Sequence, residues 1–474
     1  DSNIKISIVY FYQIVKGGNI MNETKSTQKV PQKVGIGEKF AYVCTNIGNI
    51  PLMMLLSMFL TIFYTDVCGM DPARVATMFL LSKVVDGISD PLMGFLMDRV
   101  PQTKFGRMRT MLILGTIICS INYMFVWFGP AWFPAAKYAI AYITYLLLGI
   151  TFDIMDISLN SMLPLMTDDL KTRNQLSAIK MFGYMAGAMA LSIVGPVIVA
   201  DSTLNSYYIL IFGSLAVVVV FSIGGALGIH ERVKVEEGAE HRYNFIDLLK
   251  ILITRPILVM LIVNLIMNTG NMLISGVQTY FYTYIIGNLA LMSIVSVAST
   301  IASIPAMFIS AVISDRIGKK KTFLIGLIVS AIGLAIRIPA STSLVVVVVS
   351  TIVYSFGNGL ASTLVYGINA DNSNYVEYST GKHAEGAVAS TSSFITKCAQ
   401  GLGGAIPLYI LAATGYVANA ATQTDSAING ILMNFTYIPM IVLAVCAVIF
   451  GLFYNISKED MEKINKTLTE KHQD

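Results

Sequence analysis

The chain is 474 residues long, 55% hydrophobic and only 13% charged, with a formal net charge of +4 at pH 7 and a mean hydropathy of +0.68. Soluble domains carry roughly 25% charged residues, so a soluble globular enzyme is excluded and a polytopic helical membrane protein is indicated. The small positive charge does not point to nucleic acid, because the basic residues sit in short clusters between apolar runs.

Taken in order, residues 1–39 are expected to form an N-terminal extension on the cytoplasmic side. Within it "ISIVYFYQIV" is long enough for a signal h-region but too short for a span, and Met21 before a polar stretch looks like a more natural start. Apolar segments then run 40–64, 74–97, 110–129, 138–164, 175–199 and 207–229. A charged middle loop occupies 230–255, and six further segments run 256–285, 290–314, 322–340, 344–369, 386–412 and 430–454. The pattern predicts an all-α protein of twelve transmembrane helices in two six-helix bundles, 40–229 and 256–455. The polar tail, 456–474, reads as a frayed cytoplasmic helix.

Lys and Arg set the orientation. The clusters Arg99/Lys104/Arg107/Arg109, Lys171/Arg173, Arg232 to Arg255 and Arg316/Lys319/Lys320/Lys321 all fall on the side of the termini. The other side holds Arg74, Lys137 and Arg337. The positive-inside rule therefore places both termini and the middle loop in the cytoplasm. Trp127 and Trp132, near the outer end of span three, read as interfacial anchors. The halves also repeat: "GFLMDRVPQTKFGRMRT" follows span two and "AVISDRIGKKKT" follows span eight. Asp98/Arg99 and Asp315/Arg316 thus hold the same place in each half and are candidates for a cytoplasmic gate. This loop signature resembles that of the major facilitator superfamily. The resemblance implies two bundles around a central cavity, rocking between inward-open and outward-open states.

Seven charged residues fall well inside spans: Lys83, Asp86 and Asp90 in span two, Asp153 and Asp156 in span four, Lys180 in span five and Lys397 in span eleven. Charge in hydrocarbon is expensive and marks function by default. The spacing puts Lys83, Asp86 and Asp90 on one helix face, and Asp153 and Asp156 on another. Four carboxylates against three ammonium groups leave one negative charge, which a proton or a bound monovalent cation must balance. Oxygen ligands suit H⁺, Na⁺ or Li⁺; Ser89 can add a hydroxyl beside Asp86 and Asp90, and Lys83 is a tether for the empty site. Ion pairs that only lock the helices are the alternative.

Three stretches carry a closer resemblance: "FYTDVCGM", "VVDGISDPLMGFLMDR" and "YGINADNSNYVEYSTGKHAEGAVASTSSFITKCAQGLGGA". Across residues 36–455 the chain is similar to the glycoside–pentoside–hexuronide:cation symporters, melibiose permease-like members of the superfamily. The resemblance implies a cation site at Asp86 and Asp90, with Ser89 where Asn is usual and Asp153 where a cation-assisting hydroxyl is usual. It also implies a sugar-binding role for Asp156, with Lys180 in place of an Arg and with Lys397 nearby. Departures from the family pattern are Asn49 and Ile50 for a Lys-Asp pair, Asn160 for an aromatic platform and Ser362 for a Trp. They argue against galactosides. Lys180 and Lys397 suit a carboxylated sugar such as a hexuronide; an uncharged pentoside or disaccharide fits as well.

Span seven adds a polar stripe, Asn264, Asn268, Asn271 and Gln278, followed by Tyr280, Tyr282 and Tyr284. Amides and phenols suit a hydroxyl-rich ligand, with interhelical bonding as the alternative. Asn46 and Asn49 are similar candidates, and Tyr366 is a candidate for stacking on a sugar. The five cysteines have no CxxC pair and read as free thiols, and His230, His241, His383 and His472 fall in loops. No nucleophile–base set, metal-ligand spacing or phosphate loop stands out, so neither catalysis nor a cofactor is expected. The reading is a monomeric Na⁺- or H⁺-coupled symporter of a sugar, glycoside or hexuronide in a bacterial inner membrane. A same-fold carrier of a lysolipid and a non-transporting membrane sensor are the alternatives.

Overall fold

The computed structural model describes residues 34–471 apart from 101, 102, 104, 168, 233–252, 381–384 and 421. The side chains of Asp90 and Asp98, most of the middle loop, and His241, His383 and His472 lie outside the described residues. The first six long helices are α1 (Ile36–Leu55, continued by π turns at Leu56–Leu60 and Phe63–Val67), α2 (Pro72–Arg99), α3 (Arg107–Trp132), α4 (Lys137–Met166), α5 (Leu170–Ile198) and α6 (Leu204–Gly228). The next six are α7 (Arg255–Tyr280, continued by a π turn at Phe281–Ile285), α8 (Met292–Ile317), α9 (Lys319–Ile336), α10 (Leu344–Thr380), α11 (Glu385–Ala413) and α12 (Asp425–Phe453). α13 (Lys458–Lys471) follows.

Eleven of these helices carry an apolar stretch suited to hydrocarbon by length and composition; α2 does not. Its 28 residues reach about 42 Å at 1.5 Å per residue, ample for a bilayer core of about 30 Å. Its hydropathy is depressed by Arg74, Lys83, Asp86, Asp90, Asp98 and Arg99. The charges that make it functional also hide it as a span.

Helices α1–α6 pack among themselves, as do α7–α12, and the two groups meet where α2 packs on α11, α5 on α8, and α7 on the π turn at Leu56–Leu60. α10 runs to Thr380, well past the apolar run that ends near 369. Two residues expected at the surface are inside. Trp127 is fully buried, stacked on Tyr207 and packed on Phe63, because aromatic neighbours surround it at this end of the bundle. Arg337 is 2% exposed, its guanidinium donating to Ser350, Thr351 and the Phe435 carbonyl while lying 4.3 Å over the Phe435 ring. Those partners replace water, so Arg337 is a buried staple rather than a loop charge.

Each half ends on a segment that folds back onto its own Asp-Arg loop. After α6, Glu231 accepts from the main-chain N–H groups of Arg107 and Arg109 at 3.0 and 2.7 Å, a carboxylate at the positive end of α3. Beside it Arg232 makes a bidentate pair with Glu38 of α1, both bonds 2.7 Å. After α12, α13 docks instead of fraying. Ser457 and Asp460 form a reciprocal N-terminal cap, Met461, Ile464 and Leu468 make a buried stripe, and the Lys458 ammonium donates to the Asp315 carbonyl at 2.6 Å. Asp98/Arg99 and Asp315/Arg316 close α2 and α8 at the same end of the bundle. The helix after each loop starts at a glycine in the same left-handed conformation, Gly106 at φ 100° and Gly318 at φ 87°.

Alanine at either glycine should cost at least about 1 kcal/mol, because a Cβ is disfavoured there and would meet the Glu231 carboxylate or the Lys458 Cβ. Thermal unfolding in detergent should show Gly106→Ala and Gly318→Ala melting below the parent. Gly224→Ala, whose Cβ meets nothing within 4 Å, should not. Three indistinguishable curves would refute the strain.

Candidate substrate and cation site

A cavity of about 850 Å³ lies between the two halves. Its wall is built from α1, α2 and α4 on one side and α7, α10 and α11 on the other. Thr61 donates to the Gly276 carbonyl at 3.3 Å and closes its deep end. Its rim lies toward the termini: Ser373 and Val388 line it close to the end of α10 and the start of α11, and Tyr366 there is 84% exposed.

Five of the seven charged residues singled out in the sequence share this wall: Lys83, Asp86, Asp153, Asp156 and Lys397. Asp86 is buried, with Lys83 Nζ at 2.7 Å from Oδ2, a pairing that the three-residue offset along α2 permits. Its other oxygen is aimed at Gly149 of α4, where an added Cβ would lie 2.1 Å from Oδ1. The absent side chain at 149 therefore makes room for the carboxylate. Ser89 is buried, and its hydroxyl turns back to the Asp86 main-chain oxygen at 3.4 Å. Asp90 lies one turn further along α2, with its side chain outside the described residues.

Asp156 is held by amides from two helices. Asn49 of α1 donates to Oδ1 at 2.8 Å and Asn160 of α4 donates to Oδ2 at 2.9 Å. Lys180 of α5 donates to the Asn160 side-chain oxygen at 2.7 Å, so Lys180 and Asp156 are linked through that amide. Asn49, Asn160 and Lys180 do not line the cavity and touch it through Asp156. One donor per oxygen leaves the Asp156 carboxylate with lone pairs for hydroxyls from the cavity.

The span-seven stripe bonds to protein partners. Asn268 donates to Asn264, Asn264 to Ser392, and Asn271 takes part in bonds with Tyr354 and Asn358; none of the three lines the cavity. Asn264 and Asn271 join α7 to α11 and α10, and Asn268 bonds within α7, because hydrocarbon offers no water to satisfy an amide. Tyr366 does line the cavity. Missed in the sequence were Tyr145, Gly149 and Phe152 on α4 and Ser393, Thr396 and Gln400 on α11. The signal was present: Tyr145 and Gly149 continue the face of Asp153 and Asp156, and Gln400 follows Lys397 by three. Among the described residues no group of three or more His, Cys, Asp or Glu is placed to hold a metal ion.

The contact of Asp86 with α4 is open to a double-mutant cycle. Gly149→Ala should destabilise the parent by more than about 1 kcal/mol through overpacking, and much less when Asp86→Ala is already present. Additive melting shifts for the two changes would show that they do not touch.

The family model described as "MFS/sugar transport protein" matches residues 41–458. An isoprimeverose transporter of Lactiplantibacillus pentosus is 30% identical over 445 residues, covering 92% of this chain and 91% of that protein. A glucuronide carrier protein homolog of Escherichia coli (strain K12) is 29% identical over 437 residues, 89% of this chain and 93% of that protein. Among solved structures, the nucleoside transporter NupG superposes with a TM-score of 0.60 at 13% identity, covering 88% of this chain and 98% of that one. A bacterial homolog of the human lysosomal transporter Spinster gives 0.62 at 10% identity over 90% of this chain and 97% of that one. Those two likenesses bear on the fold alone. With the family model spanning both bundles and the relatives matching nearly end to end, the chain belongs to the MFS/sugar transport protein family, in the glycoside–pentoside–hexuronide branch of the major facilitator superfamily.

Proposed function

We propose that this protein is a cation-coupled symporter of a sugar, glycoside or hexuronide, working by alternating access in a bacterial inner membrane with both termini cytoplasmic. One observation carries the reading: a cavity between the halves is lined by the Lys83–Asp86 pair, Asp153, Asp156 and Lys397. Asp86, Asp90 and Asp153 form the cation site, and Asp156 and Lys397 meet the substrate, with Asn49, Asn160 and Lys180 holding Asp156 in place. Lys83 neutralises Asp86 at 2.7 Å until Na⁺, Li⁺ or a proton takes over that role. With the basic loops in the cytoplasm, a cavity open toward the termini is the inward-facing state. Asp98/Arg99 and Asp315/Arg316 then act at the cytoplasmic entrance.

Helix α4 gives the coupling a physical route. It carries Gly149 against Asp86, Asp153 one turn on, and Asp156 three residues further. A cation that draws in Asp153 moves the helix that presents Asp156, so cation binding raises substrate affinity and the reverse by the same factor. Names of relatives, an isoprimeverose transporter and a glucuronide carrier homolog, support both neutral and carboxylated sugars as cargo.

Purified protein in proteoliposomes should accumulate at least one of a panel of xylosyl glycosides and glucuronides when a Na⁺ or H⁺ gradient is imposed. Asp86→Asn should lower that accumulation at least tenfold. Uptake indifferent to both gradients would sink the symport reading, and uptake of a lysophospholipid with no sugar accepted would replace it.

A further inference from the structure

The end of the bundle remote from the termini is shut by a cluster that the cation and sugar chemistry does not use. Asp66, in the π turn after α1, is 5% exposed. Its Oδ1 accepts from the Tyr416 hydroxyl at 2.6 Å and from Thr65 Oγ1 at 2.6 Å. Its Oδ2 accepts from the Tyr284 hydroxyl, and Asn419 donates to its main-chain oxygen. The Tyr284 and Tyr416 hydroxyls are 3.1 Å apart, and Thr65 meets the Tyr280 hydroxyl at 2.8 Å. Among the described residues no basic side chain pairs with Asp66.

All of these partners except Thr65 belong to the second half. Charge-assisted hydrogen bonds are the strong ones, and an ionised carboxylate that loses buried donors must find water in their place. Tyr416 sits beyond α11, and burial pushes its phenol up from the ordinary value, so it stays a donor. An ionised carboxylate here is satisfied when seated against the second half, or when open to water with the halves apart. Other bonds between the halves, Thr77 with Tyr409 and Ser293 with the Ile193 carbonyl, accompany it.

The geometry has an origin in the repeat. "FYTD" at 63–66 and "FYTY" at 281–284 are equivalent stretches, and Asp66 and Tyr284 lie 218 positions apart. Both stretches wind into π turns, Phe63–Val67 and Phe281–Ile285. Both end in matching backbone bonds, Cys68 to Phe63 and Met70 to Tyr64 in one copy, Ile286 to Phe281 and Asn288 to Tyr282 in the other. Equivalent positions of a two-fold repeat meet at its axis. Two aspartates there would repel; Asp on one copy and Tyr on the other make an acceptor and a donor.

We infer that Asp66 is a positioning residue for the transport cycle, the acceptor of a polar latch that holds the two halves shut at the end remote from the termini and that breaks once per turnover. The turnover clause rests on the transport reading; the latch itself does not. Its test uses the full chain with native cysteines replaced and nitroxide labels at Asp201→Cys and Asp425→Cys, exposed positions on opposite halves at that end. Pulsed electron–electron resonance distances are read in detergent without substrate. The parent should show one short population. Asp66→Ala, and separately the pair Tyr284→Phe with Tyr416→Phe, should add a longer one, and the exchange Asp66→Tyr with Tyr284→Asp should restore the short one in part. Unchanged distances in both Asp66→Ala and the phenylalanine pair overturn the latch. Should Asp66→Ala fail to fold, the phenylalanine pair, which removes only two hydroxyls, decides alone. Absence of sugar uptake in proteoliposomes would sink the transport reading and leave these distances untouched.

Discussion

Lys83 sits one helical turn from Asp86, its ammonium 2.7 Å from the carboxylate, in a helix that must cross hydrocarbon. That pair expresses the demand around which the molecule is arranged: ionised groups inside a membrane need partners, and the partners have to come from neighbouring helices or from a ligand. α2 supplies one partner to itself and presses the remaining oxygen against α4, where Gly149 leaves the space. α4 then carries two further carboxylates down the same wall, one of them held by amides from α1 and from α4 itself. Every element of the site follows from where a charge can be satisfied.

The same rule shapes the two ends. Toward the termini each half is braced by its own trailing segment, Glu231 on the start of α3 and Lys458 on the end of α8, so the Asp-Arg loops are held within halves. At the remote end the bonds run between halves, converging on Asp66. Cohesion inside each bundle at one end and between bundles at the other is the mechanical condition for a body that tilts about its centre. The repeat provides both features, since the loops after α2 and α8 and the π turns after α1 and α7 are copies of one design.

Much of this was legible in the residues. Twelve segments, the repeat of Asp-Arg loops and the charges of spans two, four, five and eleven can be read from hydropathy and spacing, because a bilayer imposes length on helices and a penalty on charge. Helical periodicity also puts Asp153 and Asp156 on one face. It does not say what that face meets. Asn268 and Asn271 have the spacing of a cavity stripe, yet Asn268 bonds back to Asn264 of its own helix and Asn271 bonds to α10. Trp127 has the position of an interfacial anchor yet fills a core of aromatic rings. α13 reads as polar and frayed because a stripe of three apolar residues is too short to announce a docking surface.

By itself, then, the sequence determined the solvent, the number of crossings, the two-fold plan and the set of charges that had to be answered. Those are consequences of composition and local period, which each segment carries without reference to the others. Tertiary structure decided the pairings. Lys180 reaches Asp156 only through Asn160, Gly149 yields to Asp86, and Asp66 finds its two tyrosine donors more than 200 positions away, because hydrogen bonds of under 3 Å depend on how helices are placed.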